Sequence, residues 1–113
     1  MNTTVAMELI NSGEIDDFYI DRFSLSWDAE SYGYDLSLCV SGPDNHSKRY
    51  TFLFASVVDV AAPSLGKGRT QVGSPRMEVH HDGWDGPRFD MFDVEGDGLS
   101  FSFKNIRLLN KNS

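Results

Sequence analysis

The chain has 113 residues, 40% of them hydrophobic, with eight Phe, four Tyr and two Trp; that suits one domain with one core and excludes a disordered chain. Seventeen acids against ten bases give a net charge of −7, which disfavours binding to nucleic acid or to anionic membranes, since both need a cationic footprint. The single cysteine, Cys39, excludes an intrachain disulfide and a cysteine-rich metal site.

The opening MNTTVAMELI lacks a basic segment and carries only a short apolar run, so a signal peptide is not expected. No stretch approaches the ~18 apolar residues of a membrane span. The cytoplasm is the expected compartment, where the Asn2-Thr3-Thr4 and Asn45-His46-Ser47 glycosylation patterns carry no meaning.

Residues 3–11 form the helix candidate. Thr3 or Thr4 can cap it, Val5 and Leu9 stack at i,i+4 as do Ala6 and Ile10, and Ser12-Gly13 offers a stop. In Phe18–Asp28 the residues Phe23, Leu25 and Trp27 alternate with Ser24 and Ser26, the period of a strand. A turn over Ala29–Gly33 leads to a second strand, Tyr34–Ser41, with Tyr34, Leu36, Leu38 and Val40 inward and Asp35, Ser37 and Cys39 outward. After the turn Gly42–Ser47 comes Lys48–Ala62, with Tyr50, Phe52 and Phe54 inward. Beyond Ala55 the alternation dissolves into VVDVAA, so that end is either covered on both faces or turned toward a second layer.

Pro63–Pro75 is a long connection rich in Pro, Gly and Ser with two unopposed bases, an interaction loop or a mobile one. Arg76–His81 reads as a strand with Met77, Val79 and His81 on one face, and Asp82–Pro87 as a turn presenting Trp84. The last run, Arg88–Leu109, is the most legible hairpin, because two alternating stretches flank Asp97-Gly98, a pair suited to a two-residue type I′ turn. That turn sets Val94 opposite Phe101 and Phe92 opposite Phe103, with Asp93, Glu95, Ser100 and Ser102 on the other face. Alternation fails again near Asn105, where a bulge would return Ile106 and Leu108 to the inside. The expectation is a single mainly β domain over 1–113: an antiparallel β-sandwich or strongly curled sheet of about six strands, centred on the closing hairpin, with one short N-terminal helix.

Catalytic chemistry finds little support. His80 and His81 are successive strand residues and point to opposite faces, so one ion cannot readily use both. The acid-rich run Asp82–Asp97 does not follow the EF-hand pattern. Asp93 and Glu95 fall on the wet face with no apolar pocket to raise a pKa. There is no GxSxG, no phosphate-cradling Gly loop and no activating neighbour for Cys39. No enzyme activity, catalytic residue, metal or cofactor is expected.

Charge placement says more. Residues 8–35 hold eight acids and one base, residues 78–97 seven acids and one base, and residues 44–76 five bases and two acids. Were the first and last hairpins adjacent, Asp21, Asp35, Asp85, Asp93 and Glu95 would form one acidic surface, with Tyr32 and Trp84 as aromatic anchors for a basic protein partner. The alternative is a scattered, solvated surface.

The strings FYIDRFSLSWD, YDLSLCVSG, RYTFLFASVVDV and LSFSFKNIRLL together resemble the small all-β immunity proteins of bacterial polymorphic-toxin systems, the immunity protein 50 type. Gly98–Ile106 (GLSFSFKNI) roughly suits the closing G-x-x-x-F-x-x-x-x-I strand of that type; its opening is matched at Asp21 and Ser24-Leu25-Ser26, with Tyr19 or Ile20 where the family has His. The resemblance implies a cytoplasmic protein that neutralises a cognate toxin by binding, which suits an acidic chain if the toxin is a cationic nuclease. Two other readings stand beside it. One is a small-molecule or carbohydrate-binding β-module stacking ligands on Trp27, Trp84 and Tyr32. The other is a self-associating domain, a homodimer paired through an exposed edge strand.

Overall fold

A computed structural model describes residues 3–42, 48–62, 70–81, 87–95 and 99–112. In chain order these form α1 (Thr3–Asn11), β1 (Tyr19–Asp28), β2 (Gly33–Ser41), β3 (Arg49–Ala61), β4 (Thr70–Gln71), β5 (Pro75–His81), β6 (Pro87–Asp93), β7 (Ser100–Phe103) and β8 (Asn105–Asn112). The fold is mainly β with one short helix, as expected. Eight strands replace about six, because a two-residue strand arises within the Pro63–Pro75 stretch and the final run divides at Lys104.

All the strands belong to one open antiparallel sheet in the order β4-β1-β2-β3-β7-β6-β5, with β8 also paired to β3. The organiser is β3, not the closing hairpin. Its first half lies between β2 and β8, while its second half, from Val58 to Ala61, pairs with β7. At the junction Ser56 and Asp59 take left-handed φ values of 56° and 55°, and the register slips against β7. Asp tolerates that conformation; Ser56 needs support, and the buried Arg88 guanidinium supplies it by donating to the Ser56 carbonyl at 2.9 Å. The loss of alternation in VVDV therefore marks a bend toward a second layer.

The two limbs close on a shared core. Tyr50, Phe52 and Phe54 of β3 are fully buried, and Phe54 meets both Phe101 and Phe103 edge-on at 4.8 Å, tying one limb to the other. Leu36, Leu38, Val40, Met91, Ile106 and Leu108 fill the rest of the space. Helix α1 packs against both β5 and β8 and inserts Ala6 and Ile10 into the core. It ends as the sequence suggests, with Gly13 at φ 86°.

The closing hairpin takes another register. Phe89 pairs with Phe103, Met91 with Phe101 and Phe92 with Ser100, so Met91 and Phe89 face the core, and Phe92 shares the other face with Asp90 and Ser102. The cause is Asp93. Its carboxylate accepts the N–H groups of Gly73 and Ser74, each at 2.8 Å, and its own N–H bonds the Leu99 carbonyl. The strand thus stops at Asp93, and the connection is longer than two residues. Asp97 and Gly98 lie outside the described residues. At the far end the strand is interrupted at Lys104, where Lys104 and Asn105 are both exposed, and β8 pairs with the first half of β3, burying Ile106 and Leu108, with a further register shift between Thr51 and Phe52.

Candidate functional site

The structure distributes the expected docking residues over separate places. Asp21 sits at a bulge in β1 on the wet face of the sheet, 4.0 Å from Arg49. Asp35 is on the same face some four residues further along β2, in a hollow with Asp28 and Arg107. Asp93 is on the other limb, where backbone N–H groups occupy its carboxylate, and Glu95 follows it with Arg76 in electrostatic reach of both. Tyr32 is in the β1–β2 turn, with φ 56° and a fully presented ring. Trp84 and Asp85 lie outside the described residues. In the sheet order β3 and β7 stand between the β1–β2 hairpin, which carries Asp21 and Asp35, and β6, at whose end Asp93 and Glu95 lie.

What the β1–β2 hairpin does present is apolar. Phe23, Leu25 and Trp27 share the core-side face with Leu38, Leu36 and Tyr34, their partners across the ladder. Leu36 is completely buried, yet Leu25 beside it is 45% exposed, Trp27 53% and Tyr34 48%. Their expected inward direction is thus correct in face but not in burial. The second layer leaves with β3 at its bend, so nothing among the described residues roofs this end of the hairpin. Val58 and Val60, just past the bend, are exposed on the opposite wall. Together with Leu25, Tyr34, Val57 and Asp59 they line an open groove of about 410 Å³.

The groove's rim is aromatic on one side. Trp27 stands edge-on to Tyr32 and to Tyr34, with ring centroids 5.9 and 5.3 Å away, so the three rings form one exposed aromatic cluster. The turn that carries Tyr32 is braced by Asp28, whose carboxylate accepts the Glu30 N–H and the Ser31 hydroxyl, both at 3.1 Å. Asp28, Glu30 and Asp59 give this end its acidic character. Val58 and Val60 were not singled out from sequence; the signal that marks them is the VVDV run, too apolar for a strand with one wet face.

Elsewhere the polar groups brace the fold. The Tyr50 hydroxyl donates to Glu14 Oε1 at 3.0 Å, and Lys48 approaches the same oxygen at 3.8 Å. Burial pushes the Tyr50 phenol above its ordinary value, and the hydrogen bond and charge of Glu14 add to the rise. Arg76 forms a forked pair with Asp16 at 2.8 and 3.2 Å, and that hydrogen bonding raises the guanidinium further. His80 lies 3.8 Å from Asp90 on the surface, and the Thr51 hydroxyl donates to Cys39 at 3.5 Å. Among the described residues no group of His, Cys, Asp and Glu is arranged to hold a metal. No helix among them is long and apolar enough to cross a membrane.

Compared with known proteins, the chain matches no family model, no curated protein and no solved structure.

Proposed function

We propose that the chain is a non-enzymatic protein-binding module, and that its partner docks on the groove between the β1–β2 hairpin and the bend of β3. The observation that carries this reading is the apolar surface of Leu25, Trp27, Tyr34, Val58 and Val60, left uncovered although the residues beside it are fully buried. Aromatic anchors beside an aliphatic floor suit a protein hot spot. The sequence resemblance gives the proposal its specific form, an immunity protein that neutralises a basic toxin domain in the cytoplasm. Net charge −7 would draw such a partner in, while the groove would hold it. A sugar site is less well supported, since Asp59 is the one charged group among the groove-lining residues and a sugar needs several convergent polar groups.

The test is growth rescue. The product of the neighbouring open reading frame is expressed alone and together with this chain. The proposal expects toxicity that this chain relieves, and relief that Trp27→Asp abolishes while the circular dichroism spectrum stays native. A harmless neighbour, or rescue indifferent to Trp27→Asp, contradicts it.

A further inference from the structure

The tip of the β1–β2 hairpin holds a bulky residue in a strained conformation without burying it. Among the described residues Asp17, Tyr32, Ser56 and Asp59 take left-handed φ values. Asp tolerates that conformation and the buried Arg88 supports Ser56, but Tyr32 is aromatic and 84% exposed, so burial of its ring does not offset the strain. The left-handed position falls on Tyr32 even though Gly33 follows and would carry it freely. The ring's contact among the described residues is edge-on to Trp27, itself 53% exposed. Strain of this kind at an exposed position marks a side chain presented to a ligand.

The charge of the tip says which ligand. Residues 23–37 contain Asp28, Glu30 and Asp35 and no Lys, Arg or His. Asp28 gives its carboxylate to the Glu30 N–H and the Ser31 hydroxyl, and Asp35 shares its hollow with Arg107. Glu30, two residues from Tyr32 on the same turn, is exposed and makes no ion pair or side-chain hydrogen bond among the described residues.

Building on the binding function proposed above, on which this rests, we infer that the hairpin tip receives an arginine side chain of the protein partner. The guanidinium stacks on the Tyr32–Trp27 cluster, whose ring faces attract a cation, and pairs with Glu30. Arginine fits better than lysine, because a planar, weakly hydrated guanidinium lies flat on a ring whereas an ammonium holds its water. A small quaternary ammonium ligand needs rings on several sides. The edge-on packing of Trp27 with Tyr32 and Tyr34, all three exposed, makes an open platform rather than an enclosure. Tyr34 also lines the apolar groove, which sets the partner's arginine beside an apolar residue seated on Leu25, Val58 and Val60.

NMR titration of the isotope-labelled full chain with hexa-arginine and, at the same salt, with hexa-lysine tests this. Equal peptide charge separates stacking from plain attraction to a chain of net charge −7. Hexa-arginine is expected to move the Trp27 indole and the amides of residues 27–34 first, and to bind about fivefold tighter than hexa-lysine. Tyr32→Asn, which keeps the left-handed turn, lowers its affinity about fivefold, and Glu30→Gln lowers it about threefold. The urea midpoint of Tyr32→Asn stays level or rises. A midpoint that falls shows that the ring serves the hairpin itself and overturns the inference. Shifts spread evenly over the other acidic residues overturn it as well, as do equal binding of the two peptides and no binding of either. Growth rescue separates this from the groove: rescue lost in Trp27→Asp but kept in Tyr32→Asn leaves the groove in place and removes the arginine. Hexa-arginine localised at the tip beside a harmless neighbouring gene product does the reverse.

Discussion

Asp93 shows how one side chain can override a local signal. Alternation around Asp97-Gly98 argues for a two-residue turn, but the Asp93 carboxylate is recruited by backbone N–H groups 19 and 20 positions upstream. Charge-assisted bonds of this kind contribute more than ordinary ones, so Asp93→Ala is expected to cost about 2 kcal/mol in urea denaturation. An unchanged midpoint would mean that the register is held elsewhere. Tyr50 carries a pH signature. Its phenol is raised above the ordinary 10.0 by burial first and by Glu14 second. Above that ordinary value the unfolded chain loses the proton while the folded chain keeps it, so stability is full below it and falls as pH climbs toward the folded value. Denaturation curves from about pH 8 to about pH 11 should show this decline in the wild type and a smaller one in Tyr50→Phe.

At the level of elements, the helix over 3–11 and the strands beginning near residues 19, 34, 49 and 75 were legible, because i,i+4 stacking and strict alternation are local properties of the chain. Phe52 and Phe54 could be placed in the core for the same reason. The break near Asn105 was legible as a failure of alternation, but not the change of strand neighbours that accompanies it: Phe103 and Ile106 both point inward, and nothing in the intervening residues says that one pairs with β6 and the other with β3. Nor was the Asn11 clamp on β5, in which an exposed polar residue at a helix end completes the edge of a strand 66 positions away. Removing it by Asn11→Ala leaves the Met77 N–H and carbonyl unpaired in a partly buried place. The expected loss is about 1–3 kcal/mol, with faster amide exchange at Met77. Unchanged exchange there would show that the edge does not depend on Asn11.

Across the whole molecule, one long strand serves two limbs, and the function proposed here follows from that bend. Because β3 turns away at Ser56, the core ends at Leu36 and the hairpin projects beyond it with Leu25, Trp27 and Tyr34 uncovered. The sequence showed which side chains share that face but not where the cover stops, since cover depends on the packing of distant strands. The candidate site was legible only through Tyr32, and through Trp27 in the ligand-stacking alternative; of the carboxylates chosen with Tyr32, Asp21 and Asp35 lie on the β1–β2 hairpin and Asp93 and Glu95 at the end of β6, with Asp85 outside the described residues. The most direct test is amide hydrogen exchange of the chain alone and bound to the product of the neighbouring open reading frame. Binding at the groove predicts new protection over residues 23–34 and 57–61. Protection confined to the Asp21–Arg49 face, or to the segment around Asp93 and Glu95, would contradict the account.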